Sequence, residues 1–270
     1  MQLDIVPREL RRMFPCYDVV QLAIDGKNPL YTLRDLAEDE RFHGIVLCSV
    51  TELAFSRENW DDQKDFVDYY HKSFTLDKRI NRIVKTLFEK HFVIADPYVK
   101  FRKVFHYFLR RGRMLPPRYL ITFPDRSRSA DYSKTNQKEQ MAFRIKRIKE
   151  IYRDNPPPTE EEWHKEFQGV ESLIRKITDR GGRVVFLRLP STGQHGEIDE
   201  RFYPKRLYWD RFAAQTSATT IHFKDFPSLE RYICPDGSHL DGKDAQMFTR
   251  DLARQLVNEG VLHYCAEGGE

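Results

Sequence analysis

Four short apolar runs set the class of fold open to this chain. Val19-Val20-Gln21-Leu22-Ala23-Ile24 ends at Asp25-Gly26, and Ile45 to Val50 follows a helix-like stretch from Leu30 to Ala37. Val184 to Leu187 follows a helical pattern that stops at Gly181-Gly182, and Thr219 to Phe223 completes the set. Short continuous apolar strands separated by helical periodicity indicate βα units, hence a parallel sheet covered on both faces. The expected class is α/β. Ligands in such sheets bind beyond the carboxyl ends of the strands, which would bring Gly26, Ser49 to Thr51, Pro190 to Gly193 and the loop at Asp236 to one edge.

With 270 residues, 40% hydrophobic and 32% charged, the chain suits one large globular domain or two small ones. No apolar run approaches the length of a bilayer span, and the first seven residues lack a basic region followed by an apolar stretch. As written, the chain is expected to stay in the cytoplasm. Cys16, Cys48, Cys234 and Cys265 are scattered without metal-ligand spacing, so the expectation is reduced cysteines and no zinc.

Between the second and third apolar runs, residues 61–161 read as a mostly helical insertion within a single domain spanning 1–270. Leu76, Ile80, Leu87 and Phe92 form one apolar face, and Phe101, Val104, Phe105 and Phe108 form another. Pro116-Pro117 and Pro156-Pro157-Pro158 punctuate the insertion, and the polar stretch from Ser127 to Gln140 reads as a mobile loop. From Tyr98 to Glu150 there are 15 Lys or Arg against 4 Asp or Glu, although the whole chain carries only +4. Arg110, Arg111 and Arg113 flank the second stripe, and a basic amphipathic helix can lie on an anionic membrane or hold a polyanion. A solvated helix face is the plainer alternative. Nucleic acid is a minor option, because no recognition motif accompanies the arginines and aromatics.

Near the C-terminus, Cys234-Pro235-Asp236-Gly237-Ser238-His239-Leu240-Asp241 places Asp236 three residues before His239 at a turn marked by Pro and Gly. A short turn can fold the carboxylate onto one ring nitrogen of His239 and leave the other as a base, as a serine nucleophile requires. The competing reading is that Asp236 merely caps the helix that follows. That helix is signalled by Phe248, Leu252 and Leu256 at a spacing of four.

This block resembles the last block of the SGNH (GDSL-type) hydrolases, an Asp-x-x-His before the C-terminal helix. It is most similar to the membrane-associated, polysaccharide-modifying branch, in which an Asp-Gly-Ser-His-Leu-like stretch continues into a helix with a Phe-Thr pair, here Phe248-Thr249. The resemblance implies a flavodoxin-like sheet and acyl-ester chemistry with no metal or organic cofactor. It also implies roles: His239 as general base and then acid, Asp236 holding its tautomer, and Gly26 offering an amide to the oxyanion. The family's Asn after the third strand has no counterpart in Cys48-Ser49-Val50-Thr51-Glu52, where the hydroxyls of Ser49 or Thr51 are the replacement donors.

No Gly-x-Ser turn precedes Gly26, and the first serine is Ser49. Met1 to Leu10 is similar to the segment that follows the nucleophile turn in these relatives, and Pro7 suits the first position of a helix. The expectation is therefore a sheet without its first, central strand and a chain inactive by itself. The implied partners are an acylated polysaccharide or small ester and a membrane-bound acyltransferase. An upstream segment, if present, would make the protein membrane-anchored and extracytoplasmic. The alternative is a non-catalytic binding protein gripping an anionic polymer or membrane surface through its basic insertion. A third possibility gives the nucleophile's part to Ser49 or Cys48.

Overall fold

The computed structural model describes residues 1–73 and 118–265. Three of the four apolar runs form a parallel sheet of β1 (Ile45–Ser49), β4 (Arg183–Arg188) and β5 (Thr219–His222), in the order β1-β4-β5. Leu47 pairs with Val185 and Ser49 with Leu187, while Leu187 also pairs with Ile221. The central strand explains the mixed α/β class. Val184 and Phe186 point to one side and Val185 and Leu187 to the other, and all four are buried. A strand packed on both faces needs the unbroken apolar run that the sequence shows.

On the first face lie α2 (Leu30–Glu38), α4 (Gln137–Asp154), α5 (Glu160–Thr178) and α7 (Trp209–Gln215). Phe55 sits at the middle of this layer, against the rings of Trp163, Phe167, Phe186 and Phe212. A capping box between Thr159 and Glu162 starts α5 after the proline run, and Gly181, at φ 83°, ends its connection to β4. The second face is covered by α1 (Pro7–Met13) and α9 (Gly242–Asn258). Pro7 opens α1, and Phe248, Leu252 and Leu256 of α9 are buried, as their spacing predicts. Asp241, rather than Asp236, caps α9 by accepting from the Lys243 amide.

The other α-helices and strands among the described residues are α3 (Lys64–Ser73), an antiparallel hairpin of β2 (Leu120–Thr122) and β3 (Arg128–Ala130), α6 (Gly193–Phe202) and α8 (Pro227–Glu230).

Three expectations are corrected. Val19 to Ile24 is not a strand: it has no ladder partner among the described residues, and Val20 and Leu22 are 65% and 39% exposed. Side chains take some of its carbonyls instead. Arg11 Nη2 donates to Val19 O at 2.8 Å, and Gln2 Nε2 and Arg126 Nη2 donate to Ala23 O at 2.8 and 3.3 Å. An apolar run names residues fit for a strand but cannot supply the neighbouring backbone that a strand needs. With no strand at Val19, β1 is the edge of the three-stranded sheet among the described residues, so the missing central strand opens no gap inside it.

Ser127 to Gln140 is not a mobile loop. It holds β3, a 3-10 turn at Tyr132–Lys134 and the first turn of α4, with Ala130 and Tyr132 buried. Nor are all four cysteines reduced. Cys16 and Cys265 form a disulfide across 249 residues, with Cα atoms 5.8 Å apart, while Cys48 and Cys234 are buried free thiols. The apolar faces at Leu76 to Phe92 and Phe101 to Phe108, with Arg110, Arg111 and Arg113, lie outside the described residues. Among those described, no helix is long and apolar enough to cross a membrane.

Candidate active site

The Asp236 turn is built from its own backbone and locked by the loop after β4. Asp236 Oδ1 accepts from the amides of Ser238 and His239 at 3.0 and 2.8 Å. Gly237 takes φ 87°, a conformation that strains any side chain, and a Cβ there would meet His195 at 2.8 Å. Thr192, in the loop after β4, donates its amide to Gly237 O at 3.0 Å and accepts from the Cys234 amide at 2.9 Å. From the other side Asp4 Oδ1 accepts from the Leu240 amide at 2.9 Å, which fixes the residue after His239.

Within this frame Asp236 Oδ2 lies 3.0 Å from His239 Nδ1. The capping alternative is thus resolved geometrically: Oδ1 shapes the turn and Oδ2 remains for the imidazole. The Asp236 side chain is 2% exposed and that of His239 is 22% exposed. Burial raises the Asp236 pKa, but the hydrogen bond and charge of His239, the Ser238 amide and the Arg144 guanidinium together outweigh it, and the carboxyl is held well below the usual range. An ionised Asp236 selects the tautomer with the proton on Nδ1 and leaves Nε2 as the basic atom. Ser238 Oγ is 2.9 Å from Nδ1. It therefore sits on the aspartate side of the ring, where a nucleophile has no base.

His239 lines a cleft of about 760 Å³ together with Gly26, Ser49, Thr51 and Met1 to Leu3. The convergence expected at the carboxyl edge of the sheet is seen in part: Gly26, Ser49 to Thr51 and His239 share the cleft, whereas Pro190 to Gly193 do not line it and Thr192 braces the Asp236 turn instead. Gly26 turns at φ 65° with open space where a Cβ would be, and Ser49 is the last residue of β1. Among the described residues, the Gly26 amide and the hydroxyls of Ser49 and Thr51 make no hydrogen bond. Asn28 also lines the cleft, but its side chain is committed to Ala54 O and the Leu30 amide. Cys48 is unsuited to nucleophilic attack: it is 3% exposed, and burial pushes its thiol up to about 12.

Three neighbours of the dyad have no local signal in the sequence. Arg144 of α4 donates from Nε to Asp236 Oδ2 at 3.1 Å across 92 residues. Tyr132 is buried beside Asp236, and burial followed by that negative charge raises its phenol above the ordinary tyrosine range. Asp4 acts through the backbone. In the interior, Arg188 at the end of β4 bonds Asp199 of α6 at 2.8 Å and Glu52 at 3.3 Å, and Tyr152 of α4 donates to Asp199 at 3.0 Å. This buried cluster ties the loop after β1, the end of β4, α4 and α6 into one support for the cleft. No group of three or more His, Cys, Asp or Glu residues is arranged to hold a metal ion among the described residues.

Comparison of the chain with protein-family models, with curated proteins and with solved structures yields no significant match in any of the three.

Proposed function

We propose that this chain is an SGNH-hydrolase-like protein, related to esterases and O-acyltransferases of cell-surface polysaccharide, and that its 270 residues supply the base half of the reaction. The observation that carries the reading is the 3.0 Å contact of Asp236 with His239 Nδ1, in a ligand-sized cleft shared with the unpaired donors of Gly26, Ser49 and Thr51. The neighbour order β1-β4-β5 matches the last three strands of the flavodoxin-like order 2-1-3-4-5. In the complete reaction Nε2 of His239 takes the proton of a serine hydroxyl, that oxygen attacks the ester carbonyl, and the imidazolium returns the proton to the leaving alcohol. The Gly26 amide and the Ser49 or Thr51 hydroxyl face the oxyanion. The Cys16–Cys265 disulfide supports an extracytoplasmic site of action, because such bonds persist in oxidising compartments.

The test is hydrolysis of p-nitrophenyl acetate. The 270-residue chain should turn over at background rate, and an N-terminal extension carrying a strand and a Gly-x-Ser turn should raise it by orders of magnitude. His239→Ala in the extended protein should abolish that gain. Substantial turnover by the short chain that survives His239→Ala would sink the assignment. A non-catalytic binding protein is the second reading, favoured by the absence of a hydroxyl on the Nε2 side among the described contacts.

A further inference from the structure

A second concavity lies against the back of the Asp236 turn, along the exposed side of α4. Met141, Ala142 and Ile145 supply its apolar lining, Lys138, Lys146 and Lys149 its charge, and Gln137, Gln194 and Pro235 the rest. All three lysines lie on the same side of α4 and span about 16 Å along its axis, at a rise of about 1.5 Å per residue. Lys146 has only a loose, exposed partner in Glu150 at 3.9 Å. Lys138 and Lys149 have no ion pair among the described residues. The groove also reaches the candidate active site: Met141 Sδ stands 2.9 Å from where a Cβ on Gly237 would be, and Arg144 of the same helix holds Asp236.

We propose that this groove binds the anionic glycan chain that carries the ester, so that the acylated sugar is delivered to the cleft on the other side of the Asp236 turn. The inference rests on the ester-chemistry reading and adds the charge class of its substrate. Three lysines along one side of α4 complement carboxylates or phosphates repeated along a polymer, and the Gln137 and Gln194 amides are suited to sugar hydroxyls. The lining has no aromatic side chain on which a base would stack, which disfavours single-stranded nucleic acid. A concave surface lined by three lysines is also the wrong shape for a bilayer, which takes a projecting apolar face.

The experiment is calorimetric titration of the whole chain with octagalacturonate and, in parallel, with neutral maltooctaose. Octagalacturonate should bind at least tenfold more tightly, and its affinity should fall about tenfold between 50 and 500 mM NaCl as the charges are screened. The Lys138→Gln/Lys146→Gln/Lys149→Gln variant should lose about tenfold, or about 1.4 kcal/mol. Lys165→Gln/Lys176→Gln, exposed on α5 outside the groove, should bind as the parent does. If the triple variant does not fold, Lys149→Gln alone should lose two- to threefold. Equal binding of the neutral glycan, unchanged binding in the lysine variants, or no binding of either glycan overturns the proposal. So does tighter, lysine-dependent binding of a single-stranded oligonucleotide of equal charge. A failure of the ester reading is distinguishable, because it removes His239-dependent turnover in the extended protein while lysine-dependent glycan binding persists.

Discussion

Replacing Arg188 with Met tests whether the buried ion cluster supports the cleft. Arg188 is 7% exposed and meets Asp199 at 2.8 Å, Glu52 at 3.3 Å and the Leu189 carbonyl at 3.1 Å. Burial pushes the Glu52 carboxyl up in spite of Arg188. Asp199 is also raised by burial, but Arg188, His195 and Ser191 outweigh this and leave it well below the usual range. Methionine fills a similar length without charge and leaves two buried carboxylates without their cation, Asp199 keeping only neutral or weaker partners such as Tyr152. Breaking a buried pair in this way costs about 3–5 kcal/mol, which for a chain of this size lowers Tm by about 10 °C.

The sign of the pH dependence follows from the same contacts. With Arg188 present, the lowered pKa of Asp199 contributes stability above the unfolded carboxylate value, and that contribution is lost as pH falls. Without Arg188 both carboxyls are raised, so the penalty is full near pH 7 and shrinks as pH falls and they protonate. Thermal unfolding of parent and variant from pH 7 to pH 4.5 should therefore show a gap that is widest at pH 7 and narrows on acidification. Adding Glu52→Gln and Asp199→Asn should recover most of the loss, because neutral groups are cheaper to bury. A Tm loss under about 2 °C at pH 7, or a gap indifferent to pH, would refute the reasoning.

Two further outcomes are expected. The Cys16–Cys265 bond closes a loop of 249 residues, for which chain entropy alone predicts about 5 kcal/mol. Cys16→Ser or a reductant should lower Tm by about 10 °C, and non-reducing peptide mapping should recover the linked pair; four free thiols in the oxidised protein would contradict it. Cys48, with its thiol pushed up to about 12, should resist iodoacetamide at pH 8 in the folded protein and react once it is unfolded. Rapid labelling of native Cys48 would return it to consideration as a nucleophile.

The α/β class was legible in the sequence because burial on both faces demands an apolar run such as Val184 to Leu187 of the central strand β4, with the shorter apolar stretches of β1 and β5 on either side. The dyad was legible for a different reason: Asp236 and His239 are three residues apart, so a single turn with Gly237 in its left-handed conformation can bring them together, although Thr192, Asp4 and Arg144 from distant parts of the chain hold that turn in place. The α1 and α9 helices were equally local, one opened by Pro7 and the other marked by a spacing of four. Whatever depends on a distant partner was not legible. Val19 to Ile24 has strand-like residues but no ladder partner among the described residues, and Ser127 to Gln140 is polar yet ordered, with Ala130 and Tyr132 in the interior. Only the tertiary structure joined Cys16 to Cys265, placed Arg144 on Asp236 and set Glu52, Arg188 and Asp199 within one cluster. Local pattern records what a residue can do in its own turn of chain, whereas a charge or thiol is committed only when folding selects its neighbour.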